Sequence, residues 1–308
     1  MPNQTPPTLS PLPGIRFIEM SGTDAEMFLN AQLSRNVTES GANRGTLSAW
    51  HDSKGRVLAL LRALRNGNRW LLMVHGGDPD TIIRKLTVFI LRADVALRDV
   101  SAEWHGAAVL GDVDAWFEHR DASLGSQPGD STQKDHTFLI RATPEMAYLV
   151  SPIGVSSTIE SELSMVNHQE GNLAEIRSGL VELLPEFAGR FSPQMLNLDR
   201  LGALAFDKGC YPGQEVIARI QNLGNVKRRL FRFSGPRSEL PPVDSAIIDT
   251  SGVEVGKIVR VARANTQRVE FLAVVSVDAI EETLACISEP QTPLAKERLP
   301  SEEPTPPA

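Results

Sequence analysis

Hydrophobic residues near the amino-terminal end recur first at helical and then at strand spacing. Thr23 and Glu26 have the spacing of a helical capping box, and apolar residues follow on one helical stripe, which predicts a helix beginning near Thr23. Two apolar runs, at 57–61 and 70–74, flank the pair Asn66-Gly67. Because both residues of that pair tolerate positive φ, the pattern predicts a β-hairpin with its turn there.

The pattern after the hairpin returns to helical spacing and then to strand spacing. Asp78-Pro79 is typical of a helix cap followed by proline in the first turn, and an apolar stripe extends to Ile90. A strand is predicted at 95–100. A hairpin, a helix and a strand in this order indicate an α+β layer, an antiparallel sheet with helices on one face. Residues 101–151 mix further strands and helices with a loop at 123–134.

Short strands separated by glycine, proline and serine dominate the chain after Val226, which predicts a small all-β barrel or sandwich over 226–288. Both ends of the chain are rich in proline and poor in apolar residues. We therefore expect an extended or mobile leader over 1–13 and a disordered tail over 289–308, because neither segment offers enough apolar burial to offset the entropy of ordering.

The composition narrows the class of protein. The chain has 308 residues, of which 41% are hydrophobic and 22% are charged, and its net charge is −7. These values argue against a dedicated nucleic-acid packager, and no apolar run reaches the ~18 residues that a membrane span needs. The cysteines Cys210 and Cys286 are too few for a disulfide framework, a four-cysteine zinc site or an all-cysteine iron–sulfur cluster. With no signal peptide evident, we expect a reducing, cytoplasmic location.

One segment, 206–219, carries most of the candidate chemistry. It combines lysine, cysteine, tyrosine, glutamine, glutamate and arginine with two glycines and a proline. The glycines and the proline disfavour helix and strand before Gln214, which predicts a loop that exposes Cys210. Lys208 lies two residues away, and a nearby cation favours thiolate over thiol. Burial of Cys210 as a small apolar residue is the alternative, whereas Cys286 lies in an apolar run typical of a core strand.

The pattern Lys-Gly-Cys-Tyr-x-Gly-Gln-Glu occupies 208–215 and is followed by two apolar residues, alanine and Arg219. It resembles the signature of the YgfZ-type folate-binding proteins, relatives of the glycine-cleavage T protein, an aminomethyltransferase. Mitochondrial relatives of that family act in iron–sulfur protein maturation. The segments 54–56, 193–199 and 256–259 also resemble the family. The likeness therefore covers most of the chain and leaves out both tails.

The resemblance implies a fold, a ligand and a function. The expected fold is α+β and T-protein-like, with antiparallel sheets and helices around a central opening and a small β-barrel at the C-terminus. The folate-binding region is expected to span 14–100 and 152–225 and to carry the cysteine motif, with a second α+β region at 101–151. The implied ligand is tetrahydrofolate or a derivative. The implied function is that of a folate-binding accessory protein in iron–sulfur cluster assembly or repair, with an indirect effect on tRNA modification.

Site residues follow from the family at the positions that match its motif. Cys210 is implied as a reactive thiol, with Lys208 as its catalytic partner. The implied cofactor-binding residues are Gly209, Tyr211, Gly213, Gln214, Glu215 and Arg219. No metal-ligating set is implied. Because one thiol cannot hold a cluster alone, Cys210 could attack a substrate, form a mixed disulfide, or share a transient iron–sulfur cluster with a partner protein or a second subunit. The implied partner proteins are iron–sulfur clients or assembly proteins.

The chain departs from the T protein where a one-carbon enzyme needs acid–base groups. Leu58-Ala59 stands in the place of adjacent aspartates, and neither side chain can hold a proton at a folate nitrogen. The T protein's Gly-Tyr-Thr-Gly-Glu segment also has no match between Arg141 and Pro152. We therefore expect no aminomethyltransferase activity. A folate-dependent aminomethyl or methyl transferase, or a demethylase, with its acid–base group supplied elsewhere is the alternative.

Two further features have both a functional and a plain interpretation. A basic run follows the motif, consisting of Lys227, Arg228, Arg229 and Arg232. It could receive the anionic tail of a folate or RNA, but a solvated strand face is favoured, direct RNA binding is not, and no membrane partner is expected. The segment Trp50-His51-Asp52 could line the ligand opening, or form a packed tryptophan before a polar turn.

Overall fold

Three β-sheets and six α-helices are found in the described part of the chain. The computed structural model of the protein describes residues 7–37, 44–118, 124–134, 136–155, 158–237 and 239–302. The strands are β1 (Thr8–Pro11), β2 (Ile15–Ser21), β3 (Thr46–His51), β4 (Val57–Asn66), β5 (Arg69–His75), β6 (Ala96–Asp99), β7 (Trp104–Leu110), β8 (Ser131–Lys134), β9 (Thr137–Thr143), β10 (Met146–Pro152), β11 (Ser164–Met165), β12 (Arg228–Pro236), β13 (Ala246–Ile248), β14 (Glu254–Asn265), β15 (Arg268–Ser276), β16 (Ala285–Cys286), β17 (Glu289–Pro293) and β18 (Ala295–Glu297). The helices are α1 (Ala25–Gln32), α2 (Pro79–Thr87), α3 (Val113–Glu118), α4 (Thr158–Ser161), α5 (His168–Ser178) and α6 (Gln214–Leu223).

The amino-terminal sheet has five antiparallel strands in the order β3-β4-β5-β2-β6. Alternate side chains of β4 point to opposite faces, as the pleat of a strand requires. Ala59, Leu61 and Ala63 pack toward helices α1 and α2, whereas Leu60 and Leu64 join the central core of the molecule. This sheet and its two helices form the α+β layer that the hydrophobic pattern predicts.

The two predicted helix caps differ in outcome. The cap of α2 is confirmed, because a carboxylate oxygen of Asp78 accepts a hydrogen bond from the Thr81 N–H at 3.0 Å. The capping box of α1 is wrong. The N–H and hydroxyl of Thr23 instead donate to the carboxylate of Asp94, and α1 begins at Ala25 without a side-chain cap. Thr23 thus bonds to Asp94, which is far away in the sequence, and not to the backbone of α1. The local spacing of residues does not reveal such a partner.

The predicted hairpin joins β4 to β5. Asn66 pairs with Arg69 across the ladder, so the two turn residues are Gly67 and Asn68, one position later than the predicted pair. Gly67 has a φ of 62°, a value that glycine adopts without steric cost.

The second sheet has six strands in the order β11-β1-β7-β10-β9-β8, and all neighbours are antiparallel except β1 and β11. Strand β1 comes from the leader that was expected to be extended or mobile. The extended alternative is confirmed at Thr8–Pro11, whereas mobility is wrong for residues 7–13, because Leu9 and Leu12 are buried and β1 pairs with β7. Strand β8 likewise lies within the loop predicted at 123–134. The sheet therefore draws β1 and β11 from outside the predicted region 101–151.

The carboxyl-terminal sheet has seven antiparallel strands in the order β17-β16-β13-β14-β15-β12-β18. Strand β17, at one end, also contacts β12 near the other end, so the sheet curls toward the predicted barrel. The disordered tail is a wrong prediction for residues 289–302, because β18 pairs with β12 and Leu299 is fully buried. The outer parts of both predicted tails, 1–6 and 303–308, lie outside the described residues.

One apolar core connects the three sheets. It includes Leu60, Tyr148 and Leu272, one from each sheet, together with residues of helix α5. The sheets and helices thus surround the centre of the molecule, as the family resemblance implies. No helix in the described part of the chain is long and apolar enough to cross a bilayer.

Candidate functional site

The cysteine loop, residues 204–213, leads into helix α6. It contains no helix or strand, and α6 begins at Gln214, as the glycines and the proline predict. Cys210 is exposed, whereas Cys286 is fully buried in β16. The alternative of a buried Cys210 is therefore wrong, and the prediction that Cys286 belongs to a core strand is confirmed.

The cysteine loop lies against the turn that follows β3. Asp52 organises that turn, because its Oδ1 accepts hydrogen bonds from the backbone N–H groups of Lys54 and Arg56 at 2.9 and 2.8 Å. Gly213 has a φ of 77°, and a Cβ added there would lie 2.6 Å from the Cα of Gly55. Only glycine allows the two turns to approach this closely.

The Lys208 ammonium points at the end of helix α1. Its Nζ donates hydrogen bonds to the carbonyl oxygens of Asn30, Leu33 and Arg35, the last two at 2.7 and 3.0 Å. The same ammonium lies 5.4 Å from the centre of the Tyr211 ring. A cation at the carbonyl end of a helix stabilises that end. These contacts favour a role for Lys208 in holding the loop, and its role beside the thiol stays a prediction.

Tyr211 and His51 form a buried ring pair beneath the loop. Their ring centres are 6.0 Å apart, and neither the Tyr211 hydroxyl nor a His51 ring nitrogen has a hydrogen-bond partner among the described residues. Burial lowers the pKa of His51 to about 3, against the weaker opposite effect of Asp52, and raises the pKa of Tyr211 to about 12. Both side chains are neutral at pH 7. Because Trp50 and His51 are buried, the packed interpretation of this segment is the correct one.

The remaining motif residues lie at the surface or start the helix. Glu215 and Arg219 form an ion pair at 3.1 Å across one turn of α6, and both side chains are exposed. Gly209 has open space where a Cβ would stand. Gln214 is the first residue of α6, and its backbone N–H donates to the Tyr211 carbonyl at 3.2 Å.

A cavity of about 590 Å³ lies between the three sheets. Thr46, Tyr148 and Arg232, one residue from each sheet, are part of its wall. The wall contains seven arginines, namely Arg35, Arg44, Arg62, Arg177, Arg200, Arg232 and Arg298. Among the described lining residues, Glu145 is the only acidic one. The wall therefore carries a large excess of positive charge, in a chain whose net charge is negative.

The protein engages these arginines to different degrees. Arg177 and Arg232 both bind the carboxylate of Glu270, at 2.6 and 3.1 Å. Arg62 is buried, and its Nε has no hydrogen-bond partner among the described residues. Arg200 is exposed, and its side chain makes no hydrogen bond or ion pair within the described part of the chain. Arg62 and Arg200 thus have donors left for a ligand.

The predicted site residues do not line this cavity. None of the motif residues 208–215, nor Arg219, belongs to its wall. Arg35 connects the two places, because its side chain lines the cavity while its carbonyl accepts a hydrogen bond from Lys208 Nζ. Residues 298–301, from the predicted tail, form another part of the wall.

The sequence offered little local signal for the cavity. Its arginines are separated along the chain from Arg35 to Arg298, and only Arg232 belongs to the basic run that follows the motif. Arg229, from the same run, is instead paired with Asp199 at 2.9 Å. Topology, and not spacing, brings the cavity arginines together.

The cavity-facing position of β4 is cationic. Leu58 and Ala59 pack toward helices α1 and α2, and neither lines the cavity. Arg62, on the same strand, does. Strand β4 has Leu58-Ala59 where the T protein has aspartates, and the side of β4 that lines the cavity carries the Arg62 guanidinium.

Comparisons with known proteins relate this architecture to a family. No family model matches the chain. Similar curated proteins include the tRNA-modifying protein YgfZ of Colwellia psychrerythraea, 26% identical over 73% of the chain and 73% of that protein. The tRNA-modifying protein YgfZ of Escherichia coli is 27% identical over 77% of the chain and 74% of that protein. The structure of the glycine cleavage system aminomethyltransferase T from Bartonella henselae matches with a TM-score of 0.71 and 14% identity, over 97% of this chain and 87% of that one.

These matches confirm the resemblance that the cysteine motif predicts. The sequence matches and the fold match both cover most of the chain. The chain is thus similar to the YgfZ proteins in sequence, and it has the T-protein-like fold that this similarity implies.

Proposed function

We propose that the chain binds tetrahydrofolate or a derivative and acts as an accessory protein in iron–sulfur cluster assembly or repair in the cytoplasm. Through its client enzymes it affects tRNA modification, the activity that the names of its relatives state. The observation that carries the proposal is the cavity of about 590 Å³ with seven arginines in its wall, within a T-protein-like fold.

The cavity offers groups for both ends of a folate. The glutamate tail carries carboxylates, which bind guanidinium groups through charge-assisted hydrogen bonds. The flat pterin suits an apolar wall with few polar groups, such as the part formed by Leu47, Leu180 and Leu201. The volume lies within the range of pockets that hold ligands of this size. The buried Nε of Arg62 would find an acceptor on the ligand, which satisfies a donor that is otherwise costly to bury.

Arg200 and Arg35 are the residues that we assign to the glutamate tail. Arg200 has no protein partner among the described residues, and Arg35 Nη1 makes only a long contact of 3.5 Å to the Leu204 carbonyl. Both guanidinium groups can therefore turn to a ligand without breaking an ion pair.

Cys210 acts, in this proposal, on a protein partner and not on the folate. The thiol is exposed, and the cavity wall is formed by other residues. An iron–sulfur client or assembly protein can therefore approach the thiol from solvent. Cys210 could then attack that protein, form a mixed disulfide with it, or share a transient cluster with it. Lys208 holds the loop to Arg35, so a ligand on Arg35 would influence the presentation of the thiol.

A folate-dependent transferase or demethylase is the alternative function, and it needs an acid–base group at the bound folate. Tyr148 lines the cavity, but its hydroxyl donates to the Glu175 carboxylate at 2.8 Å, and burial raises the pKa of Tyr148 well above its ordinary value. Glu145 is exposed. These features favour binding without turnover. Release of ammonia and formation of methylene-tetrahydrofolate from a lipoyl-aminomethyl substrate would support the alternative.

Two experiments test the two parts of the proposal separately. Calorimetric titration of the purified chain with tetrahydrofolate tests the cavity, and absence of binding would overturn the proposal that the cavity binds a folate. The role of the thiol is tested by complementing a strain that lacks this gene. The activities of several iron–sulfur enzymes and the amounts of thiolated tRNA bases are measured in that strain. The wild-type chain and the matched control Cys286→Ala should restore them, whereas Cys210→Ser, nearly isosteric in an exposed loop, should not. Full rescue by Cys210→Ser would overturn the proposal that the Cys210 thiol is needed for function.

A further inference from the structure

A second cavity, of about 210 Å³, lies between the β1–β2 connection, helix α5 and strand β14. Among the described residues, none lines both this small cavity and the large one. The hydrogen bond from the Tyr148 hydroxyl to the Glu175 carboxylate connects the two walls, since Tyr148 lines the large cavity and Glu175 the small one. The small cavity is therefore a separate space that the proposed folate site does not use.

The arginine of the small cavity, Arg260, donates a hydrogen bond to the protein from each of its three nitrogens. Its Nε donates to Asn172 Oδ1 at 2.8 Å, and its Nη1 donates to the Leu180 carbonyl at 3.0 Å. Its Nη2 donates to the Glu175 carboxylate. Three of the five N–H groups of Arg260 therefore have protein acceptors, and one of these acceptors is the Glu175 carboxylate, so an anion would approach this guanidinium beside a carboxylate.

His75 presents an unused acceptor. It is 2% exposed, lines the small cavity, and has no hydrogen-bond partner for Nε2 among the described residues. Its Nδ1 lies 3.6 Å from the Glu175 carboxylate, which favours the proton on Nδ1 and leaves a lone pair on Nε2. Burial lowers the pKa of His75, although the adjacent Glu175 opposes this effect, so the imidazole is neutral at pH 7.

Glu182 supplies a carboxylate without a dedicated counter-ion. Its Oε2 lies 4.0 Å from Arg260 Nη2, which already binds Glu175, and its side chain is 28% exposed. Gly14 and Gly76 leave the space that this carboxylate occupies, because a Cβ at either position would overlap the Glu182 side chain. Glu175, Glu182 and Arg260 together carry a net charge of −1, and the Arg62 guanidinium also acts on His75.

We propose that the small cavity binds a small primary amine in its ammonium form. An ammonium carries three N–H donors, no acceptor and one positive charge, which matches the Glu182 carboxylate and the His75 Nε2 lone pair. An anion would instead meet two carboxylates and a guanidinium that already binds one of them. The volume admits an amine of only a few heavy atoms. This inference does not depend on the function of the large cavity.

An NMR titration of the full chain with methylammonium chloride tests the proposal. Tetramethylammonium, which has the same charge but no N–H, and acetate are the matched ligand controls. We expect methylammonium to shift the imidazole nitrogen resonances of His75 and to bind at least about tenfold more tightly than tetramethylammonium. Acetate should do neither. Equal binding of the two cations, a shift with acetate, or no shift with methylammonium would overturn the proposal.

The variant Glu182→Gln should bind methylammonium at least about tenfold more weakly than the wild type. Glu186→Gln, which changes an exposed carboxylate outside the cavity, should leave the affinity unchanged. An unchanged affinity in Glu182→Gln contradicts the assignment. Thermal unfolding shows whether that variant folds, and if it does not, the comparison of the two cations on the wild-type chain decides.

Discussion

Gly55 and Gly213 contact each other backbone to backbone, and this contact joins the turn after β3 to the cysteine loop. Both glycines have positive φ, 71° and 77°, and each lacks the Cβ that would separate the two turns. The position of the exposed Cys210 therefore depends on a sharp turn in the amino-terminal sheet. The same sheet contributes Arg62 to the large cavity.

The Gly213→Ala variant should be less stable than the wild type by at least about 2 kcal/mol in urea unfolding. The left-handed conformation costs about 1–2 kcal/mol for a residue with a Cβ, and the new atom would press on the backbone of Gly55. Gly209→Ala is the matched control in the same loop, because nothing lies within 4 Å of its added Cβ and its φ is not positive. Equal stability of the two variants would contradict the close contact.

The Lys208→Met variant should lose about 1.5–3 kcal/mol of stability, because the ammonium donates to three carbonyl oxygens at the end of α1. The pH dependence of the alkylation rate of Cys210, measured in a Cys286→Ala background, then tests whether Lys208 also activates the thiol. We expect little change in that profile, since the ammonium is committed to the carbonyls. A clear shift of the profile to higher pH would instead support the catalytic role implied by the motif.

The Arg200→Gln variant should bind tetrahydrofolate about tenfold more weakly, because one charge-assisted hydrogen bond to a carboxylate is lost. Arg219→Gln is the matched control, since Arg219 is exposed on α6, outside the cavity, and paired with Glu215. Isothermal titration of both variants measures the difference. If Arg219→Gln has the larger effect, the folate binds at the cysteine motif and not in the arginine-lined cavity.

The stability of the protein should fall between pH 6.5 and pH 3 in part because of His51. Burial keeps its folded-state pKa at about 3, below the ordinary value of 6.5, so the unfolded chain binds the additional proton in this interval. Between pH 7.5 and pH 5 this one group accounts for about 2 kcal/mol. Urea unfolding of His51→Phe should show a shallower pH dependence than the wild type. The exposed His168→Gln is the control, and an equal slope in wild type and His51→Phe would show that His51 is accessible to protons.

The sequence predicts those elements whose determinants are local. The cap at Asp78, the hairpin after β4 and the irregular loop before Gln214 each depend on a few adjacent residues, and all are confirmed. The cap at Thr23 is wrong because its partner, Asp94, is remote in the chain. The same reason explains why the cavity arginines were not predicted.

The two tails were mispredicted because composition does not show where a segment docks. Leu9 and Leu299 are isolated apolar residues in proline-rich surroundings, yet both are buried by other parts of the chain. Proline is compatible with strands at a sheet edge or at a strand end, and Pro11 ends β1. Low apolar content thus predicts weak local order but does not exclude pairing with an existing sheet.

The wall formed by residues 298–301 has a consequence for the order of events during synthesis. The Arg298 carbonyl accepts a hydrogen bond from Arg232 at 2.9 Å, and Leu299 fills the adjacent core. Because these residues follow every other part of the wall along the chain, they are also the last part of the wall to be synthesised. The arginine-lined site is therefore completed after the segments that form the rest of its wall.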